Sequence, residues 1–253
     1  TASNNTGVGY RALKANTTAV NNTAAGAYAL ALNTTGTENV AIGRKALYAN
    51  TTANDNTSVG ASSLQANTTG TNNTAVGRSA LAVNTSPSNN TALGWKSLRL
   101  NTTGYNNTGV GSGSLYTITT GRDNTAVGKN TLYVNTGDFN TAVGSGALIA
   151  NTTGDRNVAI GAGALQTNTT AVDNVAVGNS SLYTNSTGTN NTAIGKSALE
   201  RSTTGSNNTA AGKMALYWNT TGANNTATGY QALYANTTGY DNIAVGKDAL
   251  KAN

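Results

Sequence analysis

The chain has no cysteine, no histidine, one proline and one methionine. No disulfide framework, Cys/His metal site, or Ser-His or Cys-His catalytic pair can be assembled from it. Charge is scarce: Asp, Glu, Lys and Arg make up 9% of the 253 residues, where an ordinary globular domain has about a quarter. Aromatics are 6% and hydrophobic residues 37%, too few for a broad globular core. No run of about 18 apolar residues is present, so no membrane-spanning helix is expected. The net charge of +6 is modest for this length and is not a nucleic-acid signature. Asn and Thr supply the polarity instead. A disordered chain would combine high charge with Pro, Glu and Lys.

What the chain has in abundance is one phrase. Asn73-Thr74-Ala75-Val76-Gly77 recurs as Asn157-Val158-Ala159-Ile160-Gly161 and Asn242-Ile243-Ala244-Val245-Gly246. Its glycines run from Gly9 to Gly246 in fifteen copies, every interval being 17 residues except the 16 from Gly128 to Gly144. So strict a period decides the architecture before any local motif does. Aligned on Gly, the residue four before it is always Asn and the residue four after it is always Leu. The residue three before is β-branched, two before is small, and one before is mostly Val or Ile. Seven after is Asn except at Ile118 and Ser202, and Thr-Thr and usually Gly follow.

These columns predict an all-β fold, a parallel β-solenoid of fifteen 17-residue coils forming one continuous array over residues 1–253. Asn-Thr-Ala-Val alternates with the period of a strand, and Gly ends it. A second short strand is expected to carry the Leu, and Asn-Thr-Thr-Gly is turn chemistry. Helix is disfavoured by the Gly, Asn, Thr and Val content. Coils stacked about 4.8 Å apart would make a rod on the order of 70 Å long, with identical residues above one another. The expected structural ladders are Asn73, Val76, Gly77 and Leu81 in one copy and Asn157, Ile160, Gly161 and Leu165 in another. The Val/Ile and Leu ladders are expected inside, each side chain contributing roughly 1.5–3 kcal/mol. Asn ladders bond side chain to side chain along the axis. The missing residue after Asn135 is predicted to fall in a turn and leave the ladders in register. The chain starts and stops in mid-repeat without polar caps, which reads as a window of a longer fibre or a unit that stacks end to end.

Identity must then lie in the columns that vary. Most Lys and Arg fall one, two or five after Gly, and most acids five or six before it, so the two signs occupy different edges. They are either two solvated edges or complementary edges of neighbouring chains. Tyr133, Tyr183, Tyr217 and Trp218 stand five or six after Gly, as candidate glycan contacts or as packing aromatics. Asn16, Asn50, Asn101 and Asn236 head glycosylation-type sequons, and Asn-Asn-Thr adds Asn21, Asn72, Asn106 and Asn224. Turn and ladder chemistry explains the same residues. The paired Thr of the turn suggest an ice-binding array, but adjacent strand residues point to opposite sides. Gly195-Lys196-Ser197 is a poor phosphate loop, because Asn190 stands where the first Gly belongs. The acids five before Gly occur too irregularly for a repeated Ca²⁺ site. No catalytic residue, cofactor or metal is expected.

The Asn-Val-Ala-Ile-Gly phrases resemble the head repeats of trimeric autotransporter adhesins. The longer Asn-Thr-Ala-Val-Gly…Ala-Leu…Asn-Thr-Thr-Gly form is similar to repeats of phage-type tail-fibre proteins. The resemblance covers the whole chain, although the adhesin repeat is shorter than 17 residues. It implies a left-handed roll and a homotrimer, with a monomeric solenoid as the alternative. The function it implies is a non-catalytic segment of an extracellular, cell-surface or virion fibre that spans distance and presents surfaces for attachment. Its partners would be copies of itself and surface glycans, with no nucleic acid and no membrane insertion. The alternatives are a homopolymeric, glycosylated filament subunit and an ice- or glycan-binding solenoid.

Overall fold

The computed structural model describes residues 1–253 and contains no helix. The chain is a parallel β-solenoid with one coil per repeat, and two compact units, Thr1–Asn124 and Thr125–Asn253, are built from the same coil.

In the first unit, β1 (Thr6–Val8), β2 (Thr23–Ala25), β3 (Val40–Ile42), β4 (Thr57–Val59), β5 (Thr74–Val76), β6 (Thr91–Leu93) and β7 (Thr108–Val110) form parallel pairs in chain order. Register is strict: Thr57 faces Thr74, Ser58 faces Ala75, and Val59 faces Val76. A two-residue strand, β8 (Thr117–Ile118), marks the coil in which Ile118 replaces the turn Asn.

In the second unit, β9 (Thr125–Val127) pairs with β11 (Thr141–Val143), and β10 (Val134–Asn135) lies between them in sequence. Pairing continues through β12 (Val158–Ile160), β13 (Val175–Val177), β14 (Thr192–Ile194), β15 (Thr209–Ala211), β16 (Thr226–Thr228) and β17 (Ile243–Val245). The one-residue deletion leaves this register intact, with Thr141 opposite Thr125 and Val143 opposite Val127. The turn absorbs it: the Asn135 amide bonds the Gly137 carbonyl two residues on, where Asn151 reaches Gly154 three residues on.

Apart from the two-residue β8 and β10, each strand is three residues long, and its alternation sorts side chains in the opposite sense to the one expected. Ala75 is fully buried while Val76 is 39% exposed, and Ala159 is buried while Ile160 is 41% exposed. The Val/Ile column therefore stacks as a ladder on the outside of the coil. The reason is volume. Inside, the small residue two before Gly meets the Leu wall. A Cβ added at Gly7 would lie 3.5 Å from Leu13 Cδ1. A coil this thin holds one Leu and small residues, so the larger member of the alternating pair faces out.

The second wall is not a strand. Every Leu of that column has a positive φ, 45–53°, in the left-handed region that L-residues avoid. The conformation persists because the wall is bonded coil to coil: Leu47 N–H donates to Ser63 O at 3.0 Å and Ala49 N–H to Gln65 O at 3.1 Å. Leu81, Leu148 and Leu165 are all completely buried. Burial of about 1.5–3 kcal/mol per side chain offsets a left-handed cost of about 1–2 kcal/mol.

The repeated Gly has two reasons to be Gly. Gly60 has φ +127°, and a Cβ there would come within 2.7 Å of the Gly77 carbonyl in the next coil. Backbones stack too closely at this corner for any side chain.

Candidate functional site

The two Asn columns form the framework that positions everything else. Asn73 takes the Asn56 Oδ1 on its backbone N–H at 3.0 Å and on its Nδ2 at 3.2 Å. Its Nδ2 also reaches the Pro87 carbonyl at 2.9 Å. The turn Asn of the same coil, Asn84, donates to that same carbonyl at 3.0 Å and to Asn67 Oδ1 at 3.0 Å. Two amides thus converge on one carbonyl and close the coil, except in the two coils where Ile118 and Ser202 replace the turn Asn. Asn157 and Asn168 repeat this on the Ala171 carbonyl at 2.8 and 3.2 Å.

This framework sorts the two sets of sequons. Asn50, Asn101 and Asn236 are buried and bonded inward, and Asn16 is half-buried with its Nδ2 on the Ala19 carbonyl at 3.3 Å. A glycan on Asn50 or Asn101 would have to displace the inward hydrogen bonds of these buried amides. Asn21, Asn72, Asn106 and Asn224 are exposed instead. They occupy a column with φ of 57–59°, which Asn and Asp tolerate best. That preference also accounts for the acids found there. Where the column holds Arg156 and Asp173, the guanidinium grips the carboxylate in a bidentate pair at 2.7 and 3.1 Å. The hydrogen bond from Arg156 holds the Asp173 carboxyl below its ordinary value. Cation and anion here share one edge, across two coils.

The outer face of the strands is the first candidate surface. Its columns hold only β-branched residues, Leu93 and Ala, with no charge. Ile42, Val76, Val143, Ile160 and Ile194 stand out of it, Ile194 being 48% exposed. The Thr hydroxyls of the turn point elsewhere and bond the next coil, Thr34 Oγ1 to Thr51 O at 3.0 Å.

The second candidate surface lies round the Gly corner, on the residues one, two, five and six after Gly. Several aromatics there pack on neighbouring coils. Tyr217 stacks on Tyr234 with centroids 5.3 Å apart and meets Trp218 edge-on. The Arg201 guanidinium lies 5.3 Å from the Trp218 ring. Tyr183 is half-buried, its ring beside Gly163, and Tyr133 is half-buried in the same column.

Between Lys129 and Ser180 this edge is hollow. Ser145-Gly146 and Ala162-Gly163 replace the large side chains found in most coils, leaving an open groove of about 400 Å³. Lys129 and Asn130 flank one end, Asn179 and Ser180 the other, and Ile149 and Gln166 line it. The sequence signal was two successive coils lacking bulk in variable columns, a pattern hidden when each residue is judged singly. No group of three or more carboxylates is placed to hold a metal, and no helix is long and apolar enough to cross a membrane. No protein-family model matches the chain, and no curated protein matches it in sequence.

Proposed function

We propose that this solenoid is a non-catalytic structural segment of an extracellular, cell-surface or virion fibre, working as copies of itself packed in a left-handed homotrimer. The observation that carries this is the uncharged outer strand face, with Val76 exposed in the first unit and Ile160 and Ile194 in the second. Such a face is a repeating apolar stripe, and an identical stripe on a second copy matches its spacing coil for coil. The ladders within each coil supply stiffness, and the edges beyond the Gly corner remain available for attachment.

Sedimentation of the purified chain tests the reading. A trimer is expected, and Val76→Lys with Ile160→Lys is expected to yield folded monomers. A wild-type chain that stays monomeric at high concentration would overturn self-packing. The outer strand face also favours a second reading. Thr74 and Val76 lie two apart on one strand and so point the same way, giving the flat ordered array that the adjacent turn Thr lack. A monomer with thermal hysteresis would assign that face to ice.

A further inference from the structure

We propose that the groove between Lys129 and Ser180 is a binding site for a linear saccharide carrying carboxylate groups. The first argument concerns why the groove exists. Gly146 and Gly163 have φ of +68° and +66°. Lys45, Met214 and Gln231 hold the same place in their own coils at 58°, 58° and 53°. Backbone geometry therefore does not call for glycine. Packing does not either, because a Cβ at Gly146 would meet nothing nearer than the Gln166 amide at 4.0 Å. At Gly163 a Cβ would make ordinary contact with the Tyr183 ring at 3.4 Å. What the two glycines do is leave two successive coils of this edge without bulk.

The second argument concerns what lines that space. Asn130 and Gln166 present side-chain amides that make no hydrogen bond within the protein. The Asn179 amide is held in place by its bond to the Ala162 carbonyl at 3.0 Å, and Ser180 Oγ lies 3.4 Å from its Oδ1. Amides that both donate and accept match the vicinal hydroxyls of a sugar ring. The Tyr183 ring edge lies beside Gly163, within 3.4 Å of where a Cβ there would stand, so an aromatic borders this part of the edge. Tyr133 stands in the same column at the other end, one coil before Ile149.

Charge then selects among saccharides. Lys129 is the one charged residue of the lining, with no Asp or Glu beside it. An ammonium in a groove without acids favours a carboxylate over a neutral sugar. The groove follows the stacking axis over three coil steps, about 14 Å, so it fits a short linear oligomer rather than a compact metabolite.

Titration of the full chain with oligogalacturonate, and with maltohexaose as the neutral probe, tests this by calorimetry and backbone amide shifts. The acidic probe is expected to bind more tightly, with shifts concentrated at Gly146, Gly163 and Gln166. Gly146→Gln with Gly163→Gln fills the groove with a residue that position already accepts at Gln231. Melting is expected to fall by only a few degrees, the cost of two side chains at positive φ, with the fold retained, and affinity for the acidic probe is expected to fall at least tenfold. Lys129→Gln is expected to remove the preference for the acidic probe. Absence of binding by the wild type, unchanged affinity after filling, or equal affinity for both probes would each overturn the proposal.

Discussion

Asn185 Oδ1 and Ser202 Oγ lie one coil apart in the same buried column, and neither has a hydrogen-bond partner. Elsewhere in that column the following Asn supplies the missing donor, as Asn168 Nδ2 does to Asn151 Oδ1 at 2.7 Å. Serine is too short to bridge the step. Asn101 Oδ1 is orphaned in the same way where Ile118 follows it. Ser202→Asn should restore the ladder and raise stability by about 1–3 kcal/mol, the cost of an unsatisfied buried polar group. Thermal melting of the variant beside the wild type measures it, and an unchanged or lowered midpoint would contradict the ladder assignment.

The Leu column makes an unusual comparison available. Leu148 is fully buried with φ +50°. Leu148→Ala should cost about 2–5 kcal/mol through the cavity it leaves. Glycine normally loses to alanine in regular structure, but a left-handed backbone reverses the order. Leu148→Gly should therefore be at least as stable as Leu148→Ala in denaturant titration. A clear deficit for glycine would show that the wall relaxes out of the left-handed region.

Gly77 combines φ +133° with a backbone approach that leaves no room for a Cβ beside the Gly94 carbonyl. Gly77→Ala should destabilise the protein by on the order of 3 kcal/mol. Hydrogen exchange around β5 and β6 would report the damage locally.

The Arg156–Asp173 pair gives a small pH dependence of known sign. Its folded-state carboxyl titrates below the ordinary value, mainly because of the Arg156 hydrogen bond. The stabilisation is then present above the unfolded value of about 3.9 and lost as pH falls through the lowered one. Wild type and Asp173→Asn should differ slightly in melting temperature at neutral pH and converge in acid. Because the pair is exposed, added salt should shrink the difference.

If the chain is expressed in a host that glycosylates Asn-X-Thr sequons, sugar should appear at exposed Asn72 and not at buried Asn50. Peptide mass mapping of folded material decides it. Glycan on Asn50 in a chain with native melting would overturn the closed-coil geometry.

The repeat, the strand, the Asn ladders and the harmless deletion near Asn135 were all legible, because each is a column property that period and residue type expose directly. Which face of Thr74-Ala75-Val76 turns inward was not. Alternation defines two faces, and hydrophobicity alone favours burying Val76. The decisive quantity is the thickness of the coil, which shows only when Ala75 and Leu81 are both found completely buried. The left-handed Leu was hidden for a different reason: local preference opposes it, and coil-to-coil hydrogen bonding overrides that preference. The groove was hidden because it consists of what Gly146 and Gly163 do not carry.

The corner after Asn135 has a practical meaning. Two amide columns fix where each coil begins and closes, while the few residues between Thr136 and Asp138 accept a different length without disturbing either. That corner is a splice point. A foreign peptide inserted there would be displayed at one coil without shifting its neighbours, and repeated insertions would be spaced by whole multiples of the coil rise.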